Sequence, residues 1–146
     1  MTKSVNVAIL LAANLVASGS LAVLNGQSLL DEIRAEHDPA RRSEKALSIA
    51  DIAFDSARDF YSKGEVHKGD AQLEDMTNAL NACVQSLAEM HKARFYKKAE
   101  LRVAYLQRRM QGLVEDIETQ QRGWAEYTER KLDEIHDKLL DGVMKK

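Results

Sequence analysis

The stretch that decides the fold is AQLEDMTNALNACVQSLAEM, residues 71–90. Leucines recur in it every seven residues, and a second apolar stripe with the same spacing runs beside them. The two stripes are Leu73, Leu80 and Leu87, and Met76, Cys83 and Met90. Seven residues make about two helical turns, so both stripes lie on one face of a helix that must pack against a neighbour. The stretch predicts a helix of a helical bundle.

The segment before it predicts the neighbouring helix. Residues 46–61 carry apolar side chains at helical spacing, many of them alanines that allow close approach of a second helix. Asp38 and Pro39 are typical of a helix start, because Asp accepts free backbone N–H groups and proline at the first position loses no hydrogen bond. The glycine-containing segment GEVHKGD, residues 64–70, then predicts a tight connection, with Asp70 as the next N-cap. An antiparallel helical hairpin is expected.

The rest of the chain also has a helical pattern. The whole chain contains one proline, Pro39, and many strong helix formers. A short helix is expected over residues 29–36, with Ser28 as its N-cap. Apolar residues at alternating spacings of three and four predict a further long helix, and they are Val103, Leu106, Met110, Leu113 and Ile117. The predicted fold class is all-α.

Two architectures differ in whether this last helix continues through Gly123. From Glu118 to Lys138, acidic and basic residues alternate every four positions, and each acid-first pair favours a continuous helix by a few tenths of a kcal/mol. Gly123 opposes continuity by about 1 kcal/mol relative to alanine. We predict a hairpin plus one long C-terminal helix, kinked or stuttered at Gly123, in a three-helix bundle. The alternative is a turn that folds residues 124–143 back as a fourth helix.

The apolar side chains after Gly123 form the first candidate interaction surface. In a continuous helix they would project past the hairpin as an exposed stripe, which normally marks an interaction site. They are Trp124, Leu132, Ile135 and Leu139. We therefore expect this segment to bind a protein partner or a second copy of the chain. Truncation after Thr119 would then leave the rest of the protein folded.

A basic segment forms the second candidate surface. Residues 92–109 hold seven basic residues against one acid, Glu100, with aromatic residues between them. Arg94, Lys98, Arg102 and Arg109 share one helix face. Such a face would dock an acidic partner or lipid phosphates. The favoured interpretation is a solvated face that complements the acidic tail, residues 115–141, and a third alternative is pairing of basic and acidic halves between two copies.

Motifs for common chemistries are absent from the sequence. There is no glycine-rich phosphate loop, no C-x-x-C, no H-E-x-x-H and no G-x-S-x-G, so we expect no enzyme. Asp133 and His136 supply half of a carboxylate-bridged metal site, but the other half is missing, so neither a metal nor a cofactor is expected. Cys83 lies in the apolar register and is predicted to be a core thiol. The net charge of −2 does not favour nucleic acid.

The first 22 residues, MTKSVNVAILLAANLVASGSLA, have the pattern of a secretory signal. Lys3 gives the positive start, and the apolar run at 5–17 is shorter than the roughly 20 residues that span a membrane. Ser20 and Ala22 are small enough for the cleavage site. We predict cleavage after Ala22, a periplasmic or secreted location, no membrane contact afterwards, a segment 23–38 with the short helix, and a helical domain 39–146. An uncleaved anchor and a core helix are the alternatives.

The sequence shows three resemblances to known proteins. Tyr61, Gly64, Ala71 and Ala79 resemble the hairpin of a tetratricopeptide repeat over residues 61–79. The whole chain resembles uncharacterised exported all-helical proteins of bacteria. It is similar in size and class to the Spy-like periplasmic chaperones, whose L-T-x-x-Q motif it lacks.

The sequence therefore favours a non-catalytic exported helical protein that acts through its surface as an adaptor or structural component. One alternative is a periplasmic chaperone that binds unfolded clients. Another is a helical bundle that binds a metal or haem.

The export prediction is tested by the mass of the native protein. Intact-mass analysis of the exported material should give a chain that starts at Val23, because the small residues before it fit the cleavage site. A full-length species retained in the membrane would contradict the signal-peptide interpretation.

Overall fold

The computed structural model describes residues 26–145, and over this range the regular structure is helical, without β-strands. The helices are α1, Gly26–Ala35; α2, Pro39–Ser62; α3, Val66–Met90; α4, Ala93–Asp116; and α5, Gly123–Met144. The all-α prediction is confirmed. None of these described helices is long and apolar enough to cross a membrane. The predicted signal segment, residues 1–22, and its cleavage site at Ala22 lie outside the described residues.

The hairpin of α2 and α3 begins as the sequence predicts. The Asp38 carboxylate accepts the backbone N–H of Arg41 at 3.3 Å, and Pro39 occupies the first helical turn. Gly64, at φ 76°, makes the left-handed turn after α2. The prediction of Asp70 as an N-cap is wrong, because α3 begins four residues earlier and the Asp70 carboxylate instead accepts the Tyr61 hydroxyl.

The prediction for the short first helix is also inaccurate at its start. The described helix already includes Gly26, so Ser28 lies inside α1 and is not its N-cap. Ile33 is the buried residue of α1 and places this helix against the core.

Small residues bring α2 and α3 together. The alanines of α2 that face the core are Ala46, Ala50, Ala53 and Ala57, each at most 3 % exposed. Opposite them lie the leucine and methionine stripes of α3, with Cys83 among them. Burial raises the pKa of the Cys83 thiol to about 12. The prediction of a core thiol is confirmed, and the thiolate that would make it reactive is disfavoured.

The last predicted helix is broken. α4 ends at Asp116, a short 3₁₀ turn covers Thr119–Gln121, and α5 starts at Gly123 and packs back along α4. The Arg122 side chain closes the turn by donating from Nη2 to the Ile117 carbonyl at 2.7 Å and from Nε at 3.2 Å. The prediction of a helix continuous through Gly123 is therefore wrong, and the fold-back alternative describes the chain.

The sizes of the competing terms explain the break. Leu132, Ile135 and Leu139 are each at most 3 % exposed, and burial of such side chains contributes about 1.5–3 kcal/mol apiece. The charge pairs that favoured continuity contribute only a few tenths of a kcal/mol each. Among the described residues, the ion pair within α5 is Lys131–Glu134, which is not one of the predicted four-residue pairs. Long-range burial outweighs local charge pairing.

The five helices form two layers. α1, α3 and α5 lie side by side in one layer, and α2 and α4 form the other. In the second layer, the residue numbers of the ion-paired positions increase in the same direction along both helices, so α2 and α4 run parallel. α3 ends at Met90, and only His91, which has a left-handed φ of 52°, and Lys92 separate it from α4. Hairpin α2–α3 and hairpin α4–α5 are therefore stacked in the same orientation.

One close backbone approach depends on glycine. Gly69, near the start of α3, is buried under the ring of Tyr61, and a Cβ at this position would lie 2.8 Å from Tyr61 Cζ. By contrast, a Cβ at Gly112, on the exposed side of α4, would have no neighbour within 4 Å. Substitution of Gly69 therefore tests side-chain packing, and substitution of Gly112 tests helix propensity alone.

Replacing each glycine by alanine should change stability in opposite directions. Gly69→Ala should lower the free energy of unfolding by about 1–3 kcal/mol, because the methyl group forces the Tyr61 ring away. Gly112→Ala should raise it by up to about 1 kcal/mol, since alanine is the better helix former. Urea unfolding followed by circular dichroism measures both. Stabilisation by Gly69→Ala would contradict the ring contact.

Candidate interaction surfaces

Most of the predicted basic stripe is bound within the chain. Three of its four residues form ion pairs with acidic residues of α2, and these are Lys98–Glu44 at 2.5 Å, Arg109–Asp55 at 2.5 Å, and Arg102–Asp51. The favoured interpretation named residues 115–141 as the complementary acids, and that assignment is wrong because α2 lies beside this face. The stripe joins the two hairpins, and each partly exposed pair contributes up to about 1 kcal/mol.

The outer face of α4 keeps free positive charge. Arg94 is exposed, and its guanidinium lies 4.7 Å from the Phe95 ring centre. Arg108 lies 6.0 Å from the ring of Tyr105. Neither arginine forms an ion pair with a carboxylate within residues 26–145. Leu101 and Tyr105, 57 % and 51 % exposed, lie on the same face, which is therefore basic and partly apolar.

The predicted exposed stripe on the C-terminal helix does not exist. Leu132, Ile135 and Leu139 are core residues, and only Trp124 of the four remains substantially exposed, at 39 %. The stripe was expected because a straight helix would carry it past the hairpin, whereas the turn at 117–122 folds it inward. Truncation after Thr119 would remove part of the core, so the remainder should not stay folded, contrary to the prediction from the sequence.

Trp124 instead belongs to a groove between α3 and α5. Its ring lies 5.2 Å from the Tyr127 ring at 41°, and Tyr127 is 41 % exposed. Residues of α3 form the opposite wall, among them Thr77, Asn78 and Asn81. The cavity measures about 330 Å³. One wall is aromatic and the other is polar.

The two asparagines of this groove are uncommitted. They are three residues apart on α3, so they lie on the same helix face. Neither side chain hydrogen-bonds to another residue in the described part of the chain. Each amide offers two donors and one acceptor, which is the set needed to pair with an extended backbone. The sequence analysis missed Asn78, Asn81 and Tyr127, and only their spacing and the adjacency to Trp124 could have indicated them.

A second cavity, of about 370 Å³, lies between α1 and α3. Arg42 contributes its charge, but its Nε donates to Ser86 Oγ at 2.8 Å and its Nη2 lies 2.6 Å from Glu89 Oε2. Asn78 and Asn81 also line this cavity. The exposed surface of α3 is therefore a polar strip between α1 and α5, and Arg42, which α2 contributes to this cavity, is already paired.

A buried carboxylate joins α4 to α5. Glu100 lies 2.8 Å from His136 Nε2 and 3.1 Å from Lys97 Nζ, and these contacts lower its pKa. Asp133 accepts a hydrogen bond from the Gln107 amide at 2.7 Å, so it does not converge with His136 on a common point. Among residues 26–145, no three His, Cys, Asp or Glu side chains are grouped to hold a metal ion.

Asp75 is the carboxyl whose ionisation opposes folding. It is 9 % exposed on α3 beside Gly26, and burial, together with the neighbouring charge of Glu74, raises its pKa from 3.8 to about 6. Because the pKa of Asp75 is higher in the fold than in the unfolded chain, protonation of Asp75 favours the fold. This contribution to the free energy of unfolding is complete below about pH 4. It is lost as the pH rises through about 6.

The pH dependence gives two opposite expectations. Asp75→Asn should raise the free energy of unfolding at pH 8 by about 1 kcal/mol and should change it much less at pH 4. Glu100→Gln should lower stability at neutral pH, with an effect that fades as the pH falls below about 4.5, because its pKa is lowered in the fold. Urea unfolding at several pH values measures both. An equal effect of Asp75→Asn at pH 4 and pH 8 would contradict the raised pKa.

Comparison of this chain with protein families, with curated proteins and with solved structures found no match. In the part of the chain from 26 to 145, two surfaces carry side chains that the described residues leave unpaired: the groove between α3 and α5, and the outer face of α4.

Proposed function

We propose that this protein is a non-catalytic exported adaptor that binds an extended segment of a partner protein in the groove between α3 and α5. The observation that carries the proposal is the pairing of two exposed aromatic rings with two uncommitted amides across one groove. Partly exposed tryptophan and tyrosine side chains are enriched among residues that dominate binding energy.

The two walls of the groove have complementary tasks. Trp124 and Tyr127 bury apolar side chains of the bound segment, since their rings offer large and rigid contact area. Asn78 and Asn81 exchange hydrogen bonds with its backbone, which gives affinity that depends little on side-chain identity. A groove of about 330 Å³ accommodates the side chains of a short segment, not a folded domain.

The charges of the groove favour an uncharged segment. Glu74 and Glu134 are matched by Lys131 and Lys138. Lys131 bonds to Glu134 at 3.1 Å and lies 5.4 Å from the centre of the Tyr127 ring, so it is occupied by its neighbours. A strongly charged ligand would meet as much repulsion as attraction. Apolar and small polar side chains fit better.

Export is part of the proposal and is supported by residues 1–22 of the sequence. Cys83 is the chain's one cysteine and lies in the core, so stability without disulfides comes from packing. Such a chain folds equally well on either side of a membrane, and its partner would be met after export.

Peptide selection and fluorescence test the groove. Peptides selected from a displayed random library on the full chain should shift the emission of Trp124, the one tryptophan of the sequence. The double variant Asn78→Ala/Asn81→Ala should weaken their binding by about tenfold or more, since each lost hydrogen bond contributes about 0.5–1.5 kcal/mol. Gln85→Ala, on α3 outside this groove, is the matched control and should bind normally.

The outcomes separate the candidate functions. Selected peptides that share a motif support an adaptor with a defined partner. Peptides with no common motif but the same dependence on Asn78 and Asn81 favour the chaperone alternative. Binding that leaves the Trp124 emission and the asparagine variants unaffected would rule out this groove as the binding site.

A further inference from the structure

A second basic stripe, the outer stripe, runs along the outer face of α4. It is distinct from Lys98, Arg102 and Arg109, which pair with α2. Its exposed members are Arg94, Lys97, Leu101, Tyr105 and Arg108. Lys97 reaches Glu100 of its own helix, while the two arginines have no carboxylate partner in the described residues. Two exposed apolar side chains lie between these charges. The stripe is therefore attractive to an acidic surface with some apolar character.

The outer face of α5 carries the opposite charge. Glu126, Arg130, Glu134, Asp137 and Asp141 follow one another at steps of three and four, so they lie along one side of the helix. Four of the five are acidic. Asp137 and Asp141 are exposed and form no side-chain ion pair within residues 26–145. This chain thus supplies an acidic stripe as well as a basic one.

The register between α4 and α5 places the two stripes side by side. Gln107 bonds to Asp133 at 2.7 Å, and Glu100 lies 2.8 Å from His136, so the helices run antiparallel. In this antiparallel register, Leu101 of α4 lies at the same height along the helix axes as Asp137 of α5. Lys97 lies at the same height as Asp141. The basic end of one stripe lies next to the acidic end of the other.

We propose that a second copy of this chain covers these faces, with α4 of each copy lying antiparallel against α5 of the other. A two-fold axis parallel to the helices, between α4 and α5, brings Arg94 and Lys97 of one copy near Asp141 of the other. Arg108 then lies level with Arg130, with Glu126 and Glu134 one turn away on either side. A two-fold axis perpendicular to the helices would bring like charges together, which is unfavourable. The charge pattern therefore selects one symmetric arrangement, and the same patch serves both copies.

The size of the face fits a reversible dimer. Helices of 24 and 22 residues are about 35 Å long, and two of them side by side present roughly 700 Å² per copy, close to the area of a standard interface. Leu101 and Tyr105 supply its apolar part and the rest is charged. Association should therefore weaken as salt rises. Glu134 also lines the groove between α3 and α5, but the other residues of both stripes lie outside that groove, so the dimer does not depend on the proposed function.

Sedimentation of the full chain with a charge swap tests the arrangement. Arg94→Glu and Asp141→Lys should each weaken dimerisation by about tenfold or more, because each change occurs twice in the symmetric interface. The double variant should recover dimerisation to within a few-fold of the original. Lys63→Glu, a reversal at the exposed end of α2, is the matched control and should have no effect. Circular dichroism checks that each variant stays folded.

Disulfide pairing between two variants, each with one added cysteine, tests the register. Because Cys83 is buried, a mixture of Leu101→Cys and Asp137→Cys should form the mixed dimer under mild oxidation. A mixture of Leu101→Cys with Ala88→Cys, exposed on α3, should not. A chain that stays monomeric at about 200 µM in low salt would overturn the proposal. So would binding to vesicles of anionic phospholipid, lost in Arg94→Glu, by a chain that does not self-associate.

Discussion

Burial of the apolar face of α5 is the contact on which the rest of the molecule depends. Without it, the inner face of α4 and the side of α3 that faces α5 would keep apolar surface open to water. The turn at 117–122 makes that burial possible. The Arg122 side chain stabilises this turn by donating a hydrogen bond to the carbonyl of Ile117. The groove with Trp124 and the acidic outer face both arise because α5 returns along α4. A straight helix would produce neither surface.

Ion pairs between helices position the helices of this protein relative to one another, whereas the pairs at three-residue spacing act within one segment only. The ion pairs of α4 with α2 fix how far one hairpin is displaced along the other, and Glu100 with His136 does the same between α4 and α5. Pairs at four-residue spacing, which dominate the pattern of α5 in the sequence, are mostly left in solvent. Each pair contributes little energy, but several at fixed spacing select one register over its neighbours.

Local patterns were sufficient to predict much of the fold. Asp38 and Pro39 mark the start of α2, the seven-residue stripes identify the buried face of α3, and Cys83 lies where that register puts it. The break near Gly123 could not be predicted from them, because it depends on burial against helices that are distant in sequence. Helix propensity and charge spacing describe only one segment at a time.

The candidate site was harder to predict for a related reason. Trp124 was identified as an interaction residue, but as part of a stripe that the fold buries. Asn78 and Asn81 gave no distinctive signal, because a polar residue on an exposed helix face has the same pattern whether it meets water or lines a groove. The basic residues of α4 had two possible sets of acidic partners, and only the parallel packing of α2 and α4 decides between them.

The short joint between the two hairpins has a thermodynamic consequence. His91 holds a left-handed conformation and Lys92 alone separates it from α4, while the cross-hairpin ion pairs act at a second place. The two walls of the groove belong to different hairpins, yet they have little freedom to swing apart. The segment proposed to bind there would meet a preorganised cleft, and the entropy lost on association would fall mainly on that flexible segment. Affinity can then be tuned by how rigid that segment already is in its free state.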